Sequence, residues 1–355
     1  MNTAIWDELD LFSNRDLLSR AFLSRHGSVL TEKKARQISA SLTQGRQYFI
    51  ASDTVGSIAK PLLAYYGVLS VCRAIILFRG KFTQEESLNG SHGLETKRWA
   101  ATLGGNLGNI RELEIAVQRE GTFLELLEAT ANVERIKRPT HDFMLKGGVA
   151  PVAPAGLPPG LKLSVGDVLG RFPELSEIYK KVFQQHGQTY SGWIGGESGD
   201  IPHELITMGV TGLLPHHSAE DFGKLFNIPA NGDDHGVIKV MRDNQSLQAR
   251  IRIGDNLKGV KLMPPLVKSL VDTGFETGPS EYLVWPIEGK FYPPTLARLF
   301  LLSYSLGMLG RYFPSVWMSG VTNEKDTAAF PLLTRAVALI QHGFPIAALK
   351  EFTEP

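Results

Sequence analysis

Residues 35–78 read ARQISASLTQGRQYFIASDTVGSIAKPLLAYYGVLSVCRAIILF, and this stretch decides the fold. Ala35, Ile38, Leu42 and Phe49 recur at helical spacing, so the chain from Glu32 to Ile50 predicts one amphipathic helix opened by Thr31. Asp53 to Gly56 reads as a short break. Ser57 is the expected cap of a second helix, in which Pro61 is tolerated because it lies in the first turn. That helix runs to Phe78 and ends at Gly80. It is apolar on nearly every face, which marks it as the central buried helix of its domain.

Working outward, residues 1–30 predict one or two short helices anchored by Trp6, Leu9, Leu11, Leu17, Leu18 and Phe22. Residues 81–110 are loop-rich, Leu113–Gln118 reads as a short strand, and Gly121–Thr130 as a short helix. GGVAPVAPAGLPPG, residues 147–160, is a linker by composition, because Pro and Gly deny it regular structure. Ser164–Gln185 predicts a helical pair split by Pro173. From Thr189 to Trp285, runs such as TYSGWI, GVIKVM and ARIRIG lie between turn signals and read as strands. Helices return at Thr295–Tyr312, Thr327–His342 and Phe344–Phe352.

The expected architecture is therefore α+β, predominantly α-helical. The N- and C-terminal helices form one core, with a strand-rich region inserted between them. The expected boundaries are 1–146 for the N-terminal helical region with its hairpin at 32–79, 147–163 for the linker, 164–290 for the strand-rich region, and 291–355 for C-terminal helices packing on the N-terminal core.

Of the 355 residues, 43% are hydrophobic and 21% charged, an ordinary globular composition. The formal net charge of +1 argues against a basic nucleic-acid surface spread over the whole molecule. Cys72 is the single cysteine, so no intramolecular disulfide forms, and it reads as a buried apolar residue. The acidic start MNTAIWDELDLFSNRD, which has no apolar h-region, is not expected to be a signal peptide. The apolar stretches Val68–Phe78 and Leu299–Leu309 read as too short to span a bilayer. A soluble, cytoplasmic protein with no membrane partner is expected.

No clean catalytic constellation emerges. Ser57 and Lys60 match the Ser-x-x-Lys of serine acylases, but the accompanying motifs are missing and a capping Ser57 is favoured. Gly104-Gly-Asn-Leu-Gly108 is a plain loop rather than a phosphate cradle. His216, His217, Glu220 and Asp221, and again Asp233, Asp234 and His235, cluster potential metal ligands, yet a solvated turn explains them better. No metal site and no cofactor is assigned. Arg20 and His26 could serve metal-independent RNA cleavage, with His moving protons and Arg steadying phosphate charge. A basic helix end is the simpler explanation. His92 is the further candidate for a proton carrier. Arg311, Tyr312 and Trp317, in the run Arg311-Tyr-Phe-Pro-Ser-Val-Trp317, supply a guanidinium and rings that could bind an anion or pack a corner. Tyr65 and Tyr66 point about 100° apart on their helix, so one of the two can face a pocket or interface.

Gln44-Gly-Arg-Gln-Tyr-Phe49 followed by Lys60-Pro-Leu-Leu-Ala-Tyr-Tyr-Gly67 resembles the YaaC-like family of bacterial proteins. His92-Gly-Leu94 and Gly121-Thr-Phe123 resemble that family's middle segments. Ser280-Glu-Tyr-Leu-Val-Trp-Pro286, Leu301-Leu-Ser303 and Arg311–Trp317 resemble its C-terminal ones. The resemblance spans roughly 35–345 and supplies no catalytic residue. The hairpin is also similar to HEPN-type helical domains, which are common in prokaryotic defence systems and dimerise through helices. Their nucleases carry an Arg a few residues before a His, downstream of the Tyr-bearing helix. His92 lacks such an Arg, and Arg20 and His26 lie upstream.

Three readings stay open. The first is a non-enzymatic helical binding module, with a protein partner or a homodimer and with nucleic acid compatible, in a prokaryotic defence or stress system. The second is a HEPN-like metal-independent ribonuclease or a degenerate relative. The third is a small-molecule-binding protein or enzyme with its site between the helical core and the strand-rich region.

Overall fold

The computed structural model describes residues 3–131, 133–139, 145–151, 160–196, 206–213, 218, 220, 236–243, 246–253, 266–268, 270, 281–287 and 291–353. The protein is predominantly helical with small antiparallel sheets, an α+β fold. It divides into two compact units: unit 1 holds residues 1–132, 156–187 and 295–355, and unit 2 holds 133–155 and 188–294.

Unit 1 contains α1 (Thr3–Asp10), α2 (Arg15–His26), α3 (Glu32–Thr54), α4 (Lys60–Arg79), α5 (Trp99–Leu103), α6 (Thr122–Ala129), α7 (Val165–Leu169), α8 (Ser176–Phe183), α9 (Thr295–Tyr312), α10 (Pro314–Val321) and α11 (Phe330–Thr353). Helices α2 and α3 begin where a side chain satisfies orphan amides of the first turn. Asn14 Oδ1 accepts from the Asp16 and Leu17 amides, and Thr31 Oγ1 accepts from that of Lys34. Gly27 ends α2 at φ +60°, in the left-handed region that suits glycine. Helix α4 starts differently from expectation. It opens at Lys60 behind Ala59, with no side-chain cap, and Pro61 in its first turn supplies the preset φ. The Ser57 carbonyl instead accepts from Trp317 Nε1 at 3.0 Å.

Helices α3, α4, α9 and α11 form one core, and glycines set how closely they cross. A Cβ on Gly45 would lie 2.4 Å from Val71 Cγ2, and one on Gly67 would lie 2.6 Å from Phe49 Cδ2. One on Gly307 would meet Tyr65 Cβ at 2.6 Å. The Tyr-Tyr-Gly element is thus a packing device: removing the side chain lets two backbones approach. Phe49 stacks on Phe344 with ring centroids 5.8 Å apart, and its other neighbour Trp6 lies at 5.1 Å. Gln341 Nε2 donates to Ser52 Oγ, which donates to the Lys60 carbonyl, so the buried polar groups at this crossing are paired. Tyr65, Val68, Cys72, Ile75 and Phe78 are buried on α4. Tyr66 and Leu69, which an all-round apolar helix would place in the core, are only half-buried.

Helices α4 and α11 are long and apolar enough to cross a membrane by length and composition. In each, most of the apolar window, 72% and 67%, is buried inside this protein, as in the core helices of a globular unit.

Three strands accompany these helices: β1 (Leu94–Lys97), β2 (Glu114–Val117) and β5 (Lys162–Ser164), in the antiparallel order β1-β2-β5. Unit 2 pairs β3 (Val133–Pro139) with β4 (Leu145–Pro151). Its second sheet holds β6 (Thr189–Gly196), β7 (Ile206–Leu213), β8 (Gly236–Asp243), β9 (Ser246–Ile253), β10 (Leu266–Lys268) and β11 (Glu281–Val284). Their order is β10-β11-β6-β7-β9-β8, antiparallel throughout, with an irregularity between Val210 and Leu213.

Several local expectations change. Gly147–Pro151 is strand rather than linker, because it pairs with Val133–Lys137; Pro151 sits at the strand end of a two-stranded sheet, where a missing amide is tolerated. Residues 152–159 of that segment lie outside the described residues. Residues 160–187 belong with the helical unit, not with the strand-rich one. Pro314 opens α10 instead of merely ending α9, the position a helix most readily gives to proline. The last two expected helices run together as α11 with Pro345 inside, held on either side by Phe344 and Phe352, both buried.

A candidate binding site on helix α4

Two clusters of cations and rings flank α4, one near its start and one at its end. The first is built on Tyr65 and Tyr66 of α4, Tyr48 of α3, and Tyr304, Arg311 and Tyr312 of α9, with His92 from the loop before β1. Tyr65 OH lies 2.6 Å from His92 Nδ1. Its ring sits 5.7 Å from that of Tyr66 and 5.8 Å, edge-on, from that of Tyr304. Tyr304 OH donates to the Leu94 carbonyl at 3.1 Å. Arg311 Nη1 donates to Tyr66 OH at 3.4 Å, and the guanidinium lies over the Tyr312 ring at 5.0 Å. Tyr48 and Tyr66 rings are 5.7 Å apart.

The backbone holds His92 in place. The Thr122 and Phe123 amides, orphan donors at the start of α6, bond the Ser91 and His92 carbonyls at 3.0 and 3.1 Å. The two segments touch so closely that a Cβ on Gly121 would fall 2.3 Å from the Gly93 nitrogen, and Gly93 and Gly121 have φ of +77° and +126°. His92-Gly-Leu94 and Gly121-Thr-Phe123 are therefore one structural feature.

Burial disfavours the charged form of the imidazole and of two of the phenols in this cluster. Burial, and then the charge of Arg311, hold the His92 imidazole below its ordinary value of 6.5. Burial pushes the Tyr65 phenol far up, aided by Tyr304, and burial does the same to Tyr304.

The second cluster closes the other end of α4. His26 Nε2 donates to the Phe78 carbonyl at 2.9 Å. Lys34 Nζ donates to the Lys81 carbonyl at 3.0 Å and also to that of Gly80. Burial lowers the Lys34 ammonium to about 8. Arg79 Nε pairs with Glu351 Oε2 at 3.0 Å, both side chains buried, and Arg25 lies 5.4 Å from the Phe78 ring centroid. These donors meet the carbonyl end of the helix, where its dipole favours positive charge.

The residues singled out in the sequence therefore part company. Tyr65, Tyr66, His92, Arg311 and Tyr312 come together. His26 is committed to the end of α4, and Arg20 lies exposed on α2. Trp317 is buried, bonded to Ser57 and set edge-on to Phe330 at 5.3 Å, in the packing of α10 rather than in the cluster. Tyr48 and Tyr304 were not anticipated. Tyr304 stands seven residues before Arg311, two helical turns, so that spacing was the available signal. No group of His, Cys, Asp and Glu fit for a metal occurs among the described residues. His216, His217, Asp221, Asp233, Asp234 and His235 lie outside them.

No curated protein and no solved structure matches the chain. A family model, the YaaC-like protein, matches residues 12–352, which takes in both clusters and nearly the whole sequence, and the chain therefore belongs to the YaaC-like family.

Proposed function

We propose that this chain is a non-enzymatic binding module that recognises its partner through the surface around Tyr66, Arg311 and Tyr312. One observation carries the reading. Arg311 is exposed, bonded to a tyrosine hydroxyl and laid over a ring, with no carboxylate partner among the described residues. A guanidinium with unspent donors among aromatic rings is the composition of an interface anchor. The partner is a protein or a second copy of the chain, and a nucleic acid suits the same surface. The likeness of the α3–α4 hairpin to HEPN-type domains supports a setting in a prokaryotic defence or stress system, in the cytoplasm. Against catalysis by the Arg20 and His26 pair stands the engagement of His26 with the Phe78 carbonyl.

Sedimentation of the purified protein, together with quantitative capture from native cells, tests the reading. We expect self-association or one reproducible partner, weakened at least tenfold in the double variant Tyr66→Ala, Arg311→Ala with an unchanged melting curve. Association indifferent to this variant would overturn it. So would chelator-insensitive degradation of total RNA that disappears in His92→Ala, which would promote the ribonuclease reading.

A further inference from the structure

We infer that the group read by this surface is an oxyanion, phosphate or carboxylate, carried beside a flat ring, and that His92 Nε2–H and Arg311 hold it together; this rests on the binding reading above. The argument starts from the Tyr65 hydroxyl. It is buried and stays protonated, so its proton needs an acceptor. Among the described residues His92 Nδ1 is the only one it has. Nδ1 is therefore the acceptor, and the single proton of the neutral imidazole sits on Nε2. That N–H has no protein acceptor among the described residues, and the ring is only half-buried.

Two more donors stand beside it. The Arg311 guanidinium spends one N–H on Tyr66 OH, and that hydroxyl, having accepted, keeps its own proton to give. The phenols that hold the imidazole and the guanidinium belong to adjacent rings 5.7 Å apart. Tyr304, a further hydroxyl of the cluster, is spent on the Leu94 carbonyl. Imidazole N–H, guanidinium and phenol thus share one neighbourhood, and among the described residues no carboxylate is bonded to any of them. An acceptor-rich anion complements such a surface, because its bonds to a guanidinium are charge-assisted. The faces of Tyr48, Tyr66 and Tyr312 offer a ring on the ligand a stacking partner.

The test is a 15N spectrum of histidine-labelled protein, followed by titration with phenyl phosphate and with benzoate, using phenol as the uncharged control. We expect a protonated Nε2 and a bare Nδ1 at His92. One or both anions should then shift the Nε2–H resonance and saturate, and phenol should not; which anion saturates separates phosphate from carboxylate. Arg311→Gln should weaken the anion at least tenfold. Tyr65→Phe should leave the melt close to wild type, free the imidazole to exchange tautomers, and weaken the anion several-fold. A proton found on Nδ1 overturns the inference, as does equal binding of phenol, or the absence of saturation by either anion up to about 10 mM, beyond which an affinity is worth under about 3 kcal/mol. Partner association that depends on Arg311 without any response to these anions would sink the oxyanion assignment while sparing the binding module.

Discussion

The two ends of α4 carry the same kinds of residue put to opposite uses. At the C-terminal end, His26, Lys34, Arg25 and Arg79 gather at the end of α4, and the histidine, the lysine and Arg79 are bonded to backbone carbonyls or to Glu351. Near the start, His92 and Arg311 stand among Tyr48, Tyr65, Tyr66, Tyr304 and Tyr312, with one imidazole nitrogen and most of a guanidinium unpartnered among the described residues. Residue type alone does not separate a structural cluster from a recognition surface; the accounting of donors and acceptors does. One end closes a helix, and the other leaves donors without a partner among the described residues.

The largest effect should come from the closed end. Glu351→Ala leaves Arg79 buried without its carboxylate, and we expect a loss of about 3–5 kcal/mol in a urea melt. A variant within about 0.5 kcal/mol of wild type would break the comparison at its structural side.

A smaller effect, shared by both ends, is a dependence on pH. His26, His92 and His342 are all held below 6.5, in each case chiefly by burial. The unfolded chain then binds protons at a higher pH than the folded one. Stability is full above about 6.5 and falls as pH drops through the lowered folded values. Urea midpoints at pH 7.5 and 5.5 should show the fall, and His26→Gln should reduce it. A flat profile would contradict the burial of these rings.

The smallest effect belongs to Arg311→Ala. Its removal should change stability by less than about 0.5 kcal/mol, while abolishing the association assigned to that surface. A large loss of stability would make Arg311 a structural residue like Arg79 and erase the distinction between the two ends.

Much of this was legible in residues 35–78 and their counterparts downstream. The stripe Ala35, Ile38, Leu42, Phe49 and the apolar run after Pro61 specify two helices, because a 3.6-residue period and a capping Thr31 act within a few turns of chain. That the C-terminal helices join them was legible too, since Leu299–Leu309 is too apolar to face water. One proline position was harder. Pro314 read as a break, because sequence shows the missing amide but not the helix start that accommodates it.

The sequence by itself determined the helices, the α+β class and the motifs that mark the family, since period, capping and composition are local properties of the chain. Only the tertiary structure decided that Gly45, Gly67 and Gly307 are crossing points, that His26 caps a helix, and that His92 meets Tyr65 beside Arg311. The physical reason is distance along the chain. Tyr66 and Arg311 are joined by a hydrogen bond across a separation of 245 residues, and no local rule of spacing encodes a contact of that span.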